Sequence, residues 1–557
     1  MRPPKTLQFL RSSPPAWKSA APNSVRFNSN SSSSPQARRL WELERAKTFE
    51  YPRLLQQSSD HAVMRIPDFR AKYDPMITEP GTVAEEKVIL RGRVESIRLS
   101  GSKLAFIDLR SEFEHVQALL NLGKLVDGTD KDGFKNFARL LTRGDIISVQ
   151  GNPTRTATNA LSVLATSLPS VLAPSLVPQP RSIQETIHRH KAMLATPKVV
   201  DTLRLRSAVI KYLRDFLTSR SFLEVQTPIL AENAGGAVAR SFTVHAESVS
   251  KDVSLRIAPE LWLKRLVVGG IERVFELGPA FRNEGIDQTH NPEFTICEFY
   301  HAYANLSDLI SLTESLVRGL ASHCQSVISS QNLNLPPIDL SVYEQPFQQA
   351  EFIPSLESAL GFALPDLSSP SALEDLVSLL QTHHPDVVVE RGDLDLPHLL
   401  DRLAAIFIEP LSETKPLFIT HQPVCMSPLS KSFLCPKTKQ LVSARTELFM
   451  GGKELANMYE EENDPRAQRQ KFVEQLKMNG KDDKEVDDSY VYALMSGLPP
   501  TGGWGCGVER LVMLFSGTAK ISEVLSFGNL RNVIAGGGSV SVEGKIPGEW
   551  KGEDGER

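Results

Sequence analysis

The segment from Arg273 to Tyr300, RVFELGPAFRNEGIDQTHNPEFTICEFY, constrains the fold of this chain more than any other segment. Two runs rich in apolar residues flank a loop with a glycine and an Asn-Pro pair, which predicts a strand, a loop and a return strand. Arg282 and Glu284 are two residues apart, so a strand would place both side chains on one face of a sheet. The return strand repeats this spacing with Phe294, Glu298 and Tyr300.

Such a face would combine chemistries that ordinary surfaces do not bring together. A guanidinium binds an anion, an aromatic ring stacks on a planar group, and carboxylates hold an amine. Together they suit a nucleotide and an amino acid bound next to each other. The alternative is an amphipathic hairpin with a charged outer face, which accounts for the charges separately but not for their combination with the aromatic rings.

Length and composition predict a large protein of several domains. The chain has 557 residues, of which 41% are hydrophobic, enough for packed cores. No apolar run reaches the length that spans a membrane, so we expect no membrane partner. The five cysteines are scattered and form no CxxC pair, so we expect reduced thiols and no zinc site.

The first part of the chain has the composition of a targeting segment. Residues 1–41 contain seven basic residues and no Asp or Glu, and they are rich in serine and proline. This composition predicts a mitochondrial transit peptide and import into the matrix; the alternative is a disordered basic arm that binds RNA. The whole chain has a net charge of −4, so a nucleic acid would have to bind a local basic surface. Residues 42–80 are expected to form a short N-terminal extension.

The next segment alternates apolar and polar residues with the period of a strand. Within residues 81–180 the sequence predicts five strands, with a partly helical segment at Lys131–Thr142 between the third and the fourth. Five strands with this interruption predict an OB-fold barrel, whose sheet face commonly binds single-stranded nucleic acid.

Three motifs in order resemble those of the class II aminoacyl-tRNA synthetases. The sequence FRNE resembles the start of motif 2, and the following loop, HNPEFT and glutamate resemble the rest of it. Ser221–Leu230, SFLEVQTPIL, is similar to motif 1 and follows a stretch with apolar residues at helical spacing. Gly503–Leu514, GWGCGVERLVML, is similar to motif 3. The resemblance implies an α+β multidomain chain: an N-terminal OB-fold barrel and a catalytic domain with a mostly antiparallel sheet flanked by helices.

The resemblance also divides the second half of the chain. The catalytic domain is expected at 185–540, and a flexible tail at 541–557. Between about 325 and 415 the resemblance nearly vanishes, and we interpret this part as a helical insertion at the periphery. It contains two predicted helices, one beginning with a capping-box pattern at Ser371 and ending near His383, the other from Pro397 to Ile408.

Three further stretches narrow the resemblance to lysyl-tRNA synthetases. They are Gly235–Arg240, Arg256–Gly270 and Gly451–Asp464. The implied activity is a ligase that activates L-lysine with ATP to lysyl-adenylate and transfers the lysine to the 3′ end of tRNA(Lys). Motif 1 forms the dimer interface in this class, so the resemblance implies a homodimer.

The resemblance assigns roles to individual residues of the nucleotide and metal sites. Arg282 would bridge the amino-acid carboxylate and the α-phosphate, and Arg510 would hold the γ-phosphate; these two are the expected catalytic residues. Phe294 would stack on adenine and Glu284 would accept from its amino group, while His290 would reach the triphosphate. Glu447 and Glu454 would coordinate Mg²⁺, for which carboxylate oxygens are suitable ligands; the alternative is an ordinary acidic hairpin.

A second set of residues is implied for the amino acid. Glu260 and the backbone of Gly236 would hold the α-amino group, and Asn457 would share the carboxylate with Arg282. The ε-ammonium would be surrounded by Glu298, Tyr300 and Glu461. Two acids around one ammonium are reasonable, because a lone buried pair does not always recover its desolvation cost.

In the barrel, Phe106 and Gln117 match positions that stack on and hydrogen-bond to anticodon bases, and Arg93 would contact the backbone. A core aromatic is the alternative for Phe106. The chain departs from the family at Ala160, where a glutamate is usual, which leaves open how one anticodon base is read.

Three other functions compete with this interpretation. An aspartyl or asparaginyl enzyme would need a cationic or amide pocket, and a protein-modifying lysyl transferase would lack the barrel. A tRNA-binding paralogue without activity would not need Arg282, Glu447, Glu454 and Arg510 intact.

Overall fold

The computed structural model describes residues 39, 42–43, 51–54, 62–186, 188–232, 235–237, 239–344, 346–387, 389, 395–478 and 487–537. The predicted tail, and the predicted transit peptide apart from residue 39, lie outside these residues and stay predictions. The described residues form two compact units, which divide between Gln179 and Pro180.

The first unit is a β-barrel. Its strands are β1 (Ala62–Met64), β2 (Val88–Ser100), β3 (Leu104–Ser111), β4 (Glu114–Asn121), β5 (Ile146–Arg155), β6 (Leu161–Ala165) and β7 (Ser170–Ala173). They pair in the order β1-β2-β3-β4-β6-β5-β7, and β5 also pairs with β2, which closes the barrel. The strands β2 to β6 coincide with the five that the sequence predicts, so the predicted barrel is confirmed.

Alternating residues fill this barrel. In β3 the side chains of Ala105, Ile107 and Leu109 are buried, while the residues between them face outward. Two helices, α1 (Ile66–Tyr73) and α2 (Lys131–Leu140), add aromatic side chains to the same core. Because β1 and α1 belong to this unit, its sheet begins before residue 81.

The second unit contains the remaining elements. Its helices are α3 (Arg189–Ala195), α4 (Pro197–Thr218), α5 (Glu260–Val268), α6 (Leu306–Ser330), α7 (Ser341–Glu344), α8 (Phe352–Leu360), α9 (Ala372–His383), α10 (Leu396–Phe407), α11 (Pro465–Met478), α12 (Asp488–Leu494), α13 (Val508–Ser516), α14 (Ile521–Val524) and α15 (Leu530–Gly537). Its strands are β8 (Leu223–Glu224), β9 (Leu230–Ala231), β10 (Thr243–Ala246), β11 (Lys251–Leu255), β12 (Arg273–Phe281), β13 (Glu293–Ala302), β14 (Gln348–Glu351), β15 (Leu417–Thr420), β16 (Ser432–Leu434), β17 (Leu441–Ser443), β18 (Arg445–Met450), β19 (Lys453–Glu460) and β20 (Thr501–Gly507).

The main sheet of this unit is mostly antiparallel, as the sequence predicts. Its order is β14-β15-β18-β19-β20-β13-β12-β8, and the pairs β14–β15 and β12–β8 at its two edges are parallel. One face packs on α4, α6 and α13, whose apolar stripes form the largest core cluster with the strands. The opposite face, at β13, β18, β19 and β20, lines an open cleft.

The segment predicted as a peripheral helical insertion is closer to the site than expected. It contains the two predicted helices as α9 and α10, but also α8 and the edge strand β14. Ser371 precedes α9 without a side-chain cap bond, so the predicted capping box does not form. His398 and Asp401 on α10 line the cleft. The predicted helical insertion therefore also contains an edge strand of the main sheet, and part of it lines the cleft.

Candidate active site

The cleft in the second unit has a volume of about 1590 Å³ and brings together most of the residues predicted to bind ATP, lysine and metal. The predicted residues that line it are Gly236, Glu260, Arg282, Glu284, His290, Phe294, Glu298, Tyr300, Glu447, Glu454, Asn457 and Arg510. Glu461 is the predicted pocket residue that does not line it; its side chain is 1% exposed and lies beneath the floor.

The period of two along β13 sets the floor of the cleft. Phe294, Glu298 and Tyr300 face the cleft, while Cys297 and Phe299 between them point into the core. The shared face predicted for the return strand is therefore present. The shared face predicted for the first strand was wrong. The strand β12 ends at Phe281, and both Arg282 and Glu284 lie in the following loop.

The loop still holds Arg282 at the sheet. Its backbone N–H donates to the carbonyl of Pro292 across the base of the loop at 2.8 Å, and its Nε to Ile257 at 3.4 Å. The guanidinium lies 5.1 Å from the ring centroid of Phe294. Burial lowers the pKa of Arg282, although the charges of Glu298 and Glu454 oppose this effect. An arginine stays charged under these conditions, so Arg282 is a cation in a cleft that both acids also line.

Asp287 orders the tip of the same loop. Its carboxylate accepts from the backbone N–H groups of Thr289 and His290 at 2.7 and 2.8 Å, and it also contacts Nδ1 of His290. Burial opposes ionisation, but these hydrogen bonds hold the pKa of Asp287 at about 2. The other ring nitrogen of His290 lies 3.2 Å from Nη2 of Arg510. The two predicted triphosphate ligands are therefore neighbours.

The acids predicted to hold lysine are buried at one end of the cleft. Glu298 is 5% exposed and Glu260 4%. Oε2 of Glu298 accepts from the hydroxyl of Tyr300 at 3.3 Å. Burial and the neighbouring Glu260 raise the pKa of Glu298 to about 8. A buried carboxyl with this pKa is suited to a cationic ligand, since a cation restores its ionised form.

Two glycines, Gly503 in the third motif and Gly236, make room for these acids. A Cβ on Gly503 would lie 2.0 Å from Oε1 of Glu461 and 2.7 Å from Cε1 of Tyr300. A Cβ on Gly236, which has a φ of +92°, would lie 2.9 Å from Cβ of Glu260. Both glycines allow a backbone to approach the acids more closely than any other residue would.

Sequence reasoning missed the cation in this pocket. Lys264 on α5 is fully buried, and its Nζ lies 2.5 Å from Oε1 of Glu260 and in ion-pair contact with Glu461. The hydroxyl of Tyr459 donates to the same oxygen of Glu260 at 2.7 Å. The signal was available, since Glu260 and Lys264 are four residues apart, a spacing that places two side chains on one face of a helix. Nothing in the sequence indicated Glu461 as the second partner.

The acids predicted to bind the metal lie at the other end of the cleft. Glu447 accepts from Nε2 of Gln422 at 2.5 Å and pairs with Arg445, while Glu454 accepts from Nη1 of Arg510 at 2.9 Å. Burial raises the pKa of Glu447. The pKa of Glu454 is lowered, because Arg510 and Arg445 outweigh its burial. The described residues contain no group of three or more acids, histidines or cysteines placed to hold a metal.

A site with two carboxylates is suited to Mg²⁺. It has too few ligands for a metal that the protein alone must hold. Mg²⁺ is commonly bound by one or two carboxylates, and waters and substrate phosphates complete its octahedron. Glu447 and Glu454 come from the adjacent strands β18 and β19, and both line the cleft.

The predicted anticodon residues share the outer face of the barrel. Phe106 is half-buried and points away from the core, so it is not a core aromatic. The guanidinium of Arg98, on the opposite strand, lies 5.8 Å from its ring centroid. Gln117 donates to Asp108 at 3.0 Å, and Arg93 donates to the carbonyl of Gly144 at 2.8 Å.

Comparisons with known proteins agree with this architecture. Residues 184–531 match the family of class II tRNA synthetases (D, K and N), and residues 88–171 match the OB-fold nucleic acid binding domain. The chain is 40% identical over 496 residues to the mitochondrial lysine–tRNA ligase of Schizosaccharomyces pombe, which covers 86% of this chain and 90% of that protein. It is 35% identical over 516 residues to the mitochondrial lysine–tRNA ligase of Saccharomyces cerevisiae, with 85% and 87% covered. The lysine–tRNA ligase of Thermotoga maritima is 35% identical over 473 residues, with 83% and 89% covered. The chain therefore belongs to the class II tRNA synthetases of the D, K and N group, and within that group to the lysine–tRNA ligases.

Proposed function

We propose that the protein activates L-lysine with ATP to form lysyl-adenylate and transfers the lysine to the 3′ end of tRNA(Lys). The observation that carries this proposal is that one cleft holds Arg282 together with two sets of acids. Glu260 and Glu298 suit a cationic amino acid, and Glu447 and Glu454 suit a phosphate-bound metal. A substrate carboxylate and an α-phosphate can therefore meet at one guanidinium.

The reaction needs positioned charge more than a protein nucleophile. The lysine carboxylate attacks the α-phosphorus, the bond to the β-phosphate oxygen breaks, and pyrophosphate leaves. Arg282 holds the attacking carboxylate against the phosphorus and counters the charge that develops there. Asn457 lines the same part of the cleft and orients the carboxylate.

The amino-acid end of the cleft selects lysine by charge. Glu260, beside the backbone of Gly236, accepts from the α-ammonium. Glu298 and Tyr300 receive the ε-ammonium, and Glu461 supports it from beneath the floor. An aspartate or asparagine side chain would leave these buried acids without a cation, at a cost of several kcal/mol.

The nucleotide end of the cleft holds ATP in a bent form. The ring of Phe294 stacks on adenine, with Glu284 accepting from the amino group. His290 and Arg510, which are in contact, bind the terminal phosphates. Glu447 and Glu454 hold Mg²⁺, which neutralises phosphate charge when it is bound.

The first unit supplies recognition of the tRNA. Phe106 offers a half-buried ring on the outer face of the barrel for base stacking. Gln117 and Arg93 contribute a hydrogen-bonding amide and a cation on the same face. Ala160, in the turn before β6, offers only a methyl group and its backbone, so we expect another residue to read the base that a glutamate usually reads.

We also propose a homodimer in the mitochondrial matrix. The motif 1 segment and the nearby strand β10 expose apolar side chains: Leu223, Ile229, Leu230 and Val244, each more than 40% exposed. A second copy of the chain would cover this surface. The location follows from the basic, acid-free composition of residues 1–41 and from the mitochondrial relatives. Among the described residues, no helix is long and apolar enough to cross a membrane.

Amino-acid-dependent exchange of pyrophosphate into ATP, measured with each of the twenty amino acids, tests the proposal. Lysine should support exchange far better than the others, and tRNA should not be required. If exchange is strongest with aspartate or asparagine, the proposal that lysine is the substrate is wrong. No exchange with any amino acid, in protein that binds tRNA, would indicate the inactive paralogue.

A further inference from the structure

Lys264 is an internal cation beneath the proposed lysine pocket. Its side chain is fully buried, and its Nζ lies between the carboxylates of Glu260 and Glu461. Burial alone would lower the pKa of Lys264, but these two acids raise it above its ordinary value. The ammonium is therefore a permanent charge of the site.

Three aromatic rings lie near this ammonium. The ring centroids of Tyr300, Tyr459 and Tyr490 lie 5.8, 5.6 and 5.9 Å from Nζ. They come from β13, β19 and α12, so three elements besides α5 contribute to the surroundings of this lysine. The charge of Lys264 also acts on Glu298, on β13.

Part of this cluster is left unsatisfied. Within the described part of the chain, neither oxygen of Glu461 has a hydrogen-bond partner, although Oε2 is in ion-pair contact with Lys264. The hydroxyl of Tyr490 is buried without a partner as well. Buried polar atoms are costly to leave unpaired. Lys264 therefore compensates the charge of Glu461 without using all of its capacity to accept hydrogen bonds.

The charges of the pocket suggest why a lysine is built into it. Glu260, Glu298 and Glu461 carry three negative charges when ionised, and Lys264 cancels one of them. The two that remain equal the two ammonium groups of a lysine substrate, and Arg282 matches its carboxylate. Without Lys264 the pocket would hold one more buried negative charge than its ligand can neutralise.

We propose that Lys264 is a positioning and specificity-determining residue, which sets the charge of the pocket to match an amino acid with two ammonium groups and one carboxylate. It does not contact the substrate. It acts by holding Glu260 in place for the α-ammonium. It also opposes the burial that raises the pKa of Glu461, and so favours the ionised form of that acid under the ε-ammonium. This inference rests on the proposed lysine pocket.

The opposing explanation is that Lys264 only stabilises the fold. In that case Lys264→Met would lower the melting temperature and weaken the use of lysine and ATP alike. A charge-setting role predicts a different pattern. Removing the cation leaves Glu461 without its ion-pair partner, so its carboxyl group binds a proton up to higher pH and is not ready for an ammonium.

The test compares four full-length variants by lysine-dependent pyrophosphate exchange between pH 6 and pH 9. Lys264→Met should raise the KM for lysine at least tenfold at pH 7 and change the KM for ATP less than threefold. The KM for lysine falls as pH rises, and in this variant the fall should occur at higher pH than in the wild type. Lys264→Met combined with Glu461→Gln removes one charge of each sign, so its pH profile should return toward that of the wild type. Lys264→Arg keeps the charge and should keep the wild-type profile even if its KM rises. Glu298→Gln tests the pocket itself and should raise the KM for lysine.

Each result decides between the explanations. An unchanged pH profile in Lys264→Met, or a double variant that only adds a second loss, would overturn the role of Lys264. If Lys264→Met does not fold, the pH profiles of the double variant and of Lys264→Arg decide. A purely structural role does not predict that these profiles follow the net charge of the pocket. A lysine KM that does not respond to Glu298→Gln would overturn the lysine pocket, and the role of Lys264 with it. A response to Glu298→Gln without a pH change in Lys264→Met would overturn the role of Lys264 alone.

Discussion

Lysine binding should release protons near neutral pH, because Glu298 is held in its neutral form before the ligand binds. The side chain is 5% exposed, and burial together with Glu260 raises its pKa to about 8. At pH 7 a carboxyl group with that pKa is ionised in about one molecule in ten. Since an ammonium is compensated only by the ionised form, binding should release about 0.9 proton per lysine at pH 7 and about 0.1 at pH 9.

The same ionisation sets the pH dependence of affinity. Glu298 is protonated below its raised pKa, so the proton competes with lysine there and affinity rises with pH. The apparent Kd should fall roughly fiftyfold between pH 6 and pH 8 and then level off, because further ionisation adds little. At pH 7 the cost of ionising Glu298 is about 1.4 kcal/mol, which a neutral pocket residue would not impose.

Isothermal titration calorimetry measures this release directly. The binding enthalpy of lysine is determined at pH 7 in phosphate and in Tris, whose ionisation enthalpies differ, and the slope gives the number of protons. Glu298→Gln should lose most of the release. Glu293→Gln, an exposed glutamate at the start of the same strand, should keep it. Equal enthalpies in the two buffers for the wild type, or undiminished release in Glu298→Gln, would refute the reasoning.

Three further predictions concern the other parts of the site. Glu461→Gln should weaken lysine affinity, by up to about 3–5 kcal/mol for a buried charge that loses its partner, and should hardly change the KM for ATP. Glu460→Gln is the control, because that side chain accepts from a backbone N–H outside the cleft; equal effects would remove Glu461 from the pocket. Glu454→Ala should abolish lysyl-adenylate formation but leave tRNA binding intact, and near wild-type adenylate formation would disprove the metal assignment. Phe106→Ala should lower charging at limiting tRNA by about one to two orders of magnitude without changing exchange, whereas Phe113→Ala, at the exposed turn of the same barrel, should not; a loss of exchange in Phe106→Ala would indicate unfolding instead.

The parts of the fold that follow a local period could be predicted from the sequence. The alternation in β3 predicted the strand, although it left open whether Phe106 points outward or into the core. The apolar residues Leu213, Phe216 and Leu217 fall on the buried face of α4, as their helical spacing predicts. These features depend on neighbours along the chain, so the sequence contains the information that they need.

Features that depend on where a strand ends were harder to predict from the sequence. Arg282 and Glu284 continue the alternation of β12 by their spacing, but the strand ends at Phe281. The hydrogen bond from Arg282 to Pro292 closes the loop at that point. Spacing alone does not show where the ladder gives way to a loop, and this explains the wrong strand assignment.

Long-range partners were the least predictable part of the site. Glu260 and Lys264 are one helical turn apart, yet Glu461 reaches them from a segment about two hundred residues later. The edge strand β14 likewise pairs with β15, which follows it in the chain only after α8, α9 and α10. Such contacts result from the order of strands in the sheet, which local patterns do not specify.

The glycines of β20 connect these long-range contacts to specificity. Gly503 lies between Tyr300 on β13 and Glu461 beyond β19, and a methyl group there would overlap both side chains. Gly505 approaches Glu298, where a Cβ would lie 3.3 Å from Cγ. The acids that receive the ε-ammonium can therefore be buried side by side only because the strand between them has glycines at positions 503 and 505. A change of amino-acid specificity in this framework would require new charged residues together with new side chains that fill the floor of the pocket. Neither change alone leaves a pocket that is both packed and neutral when the ligand is bound.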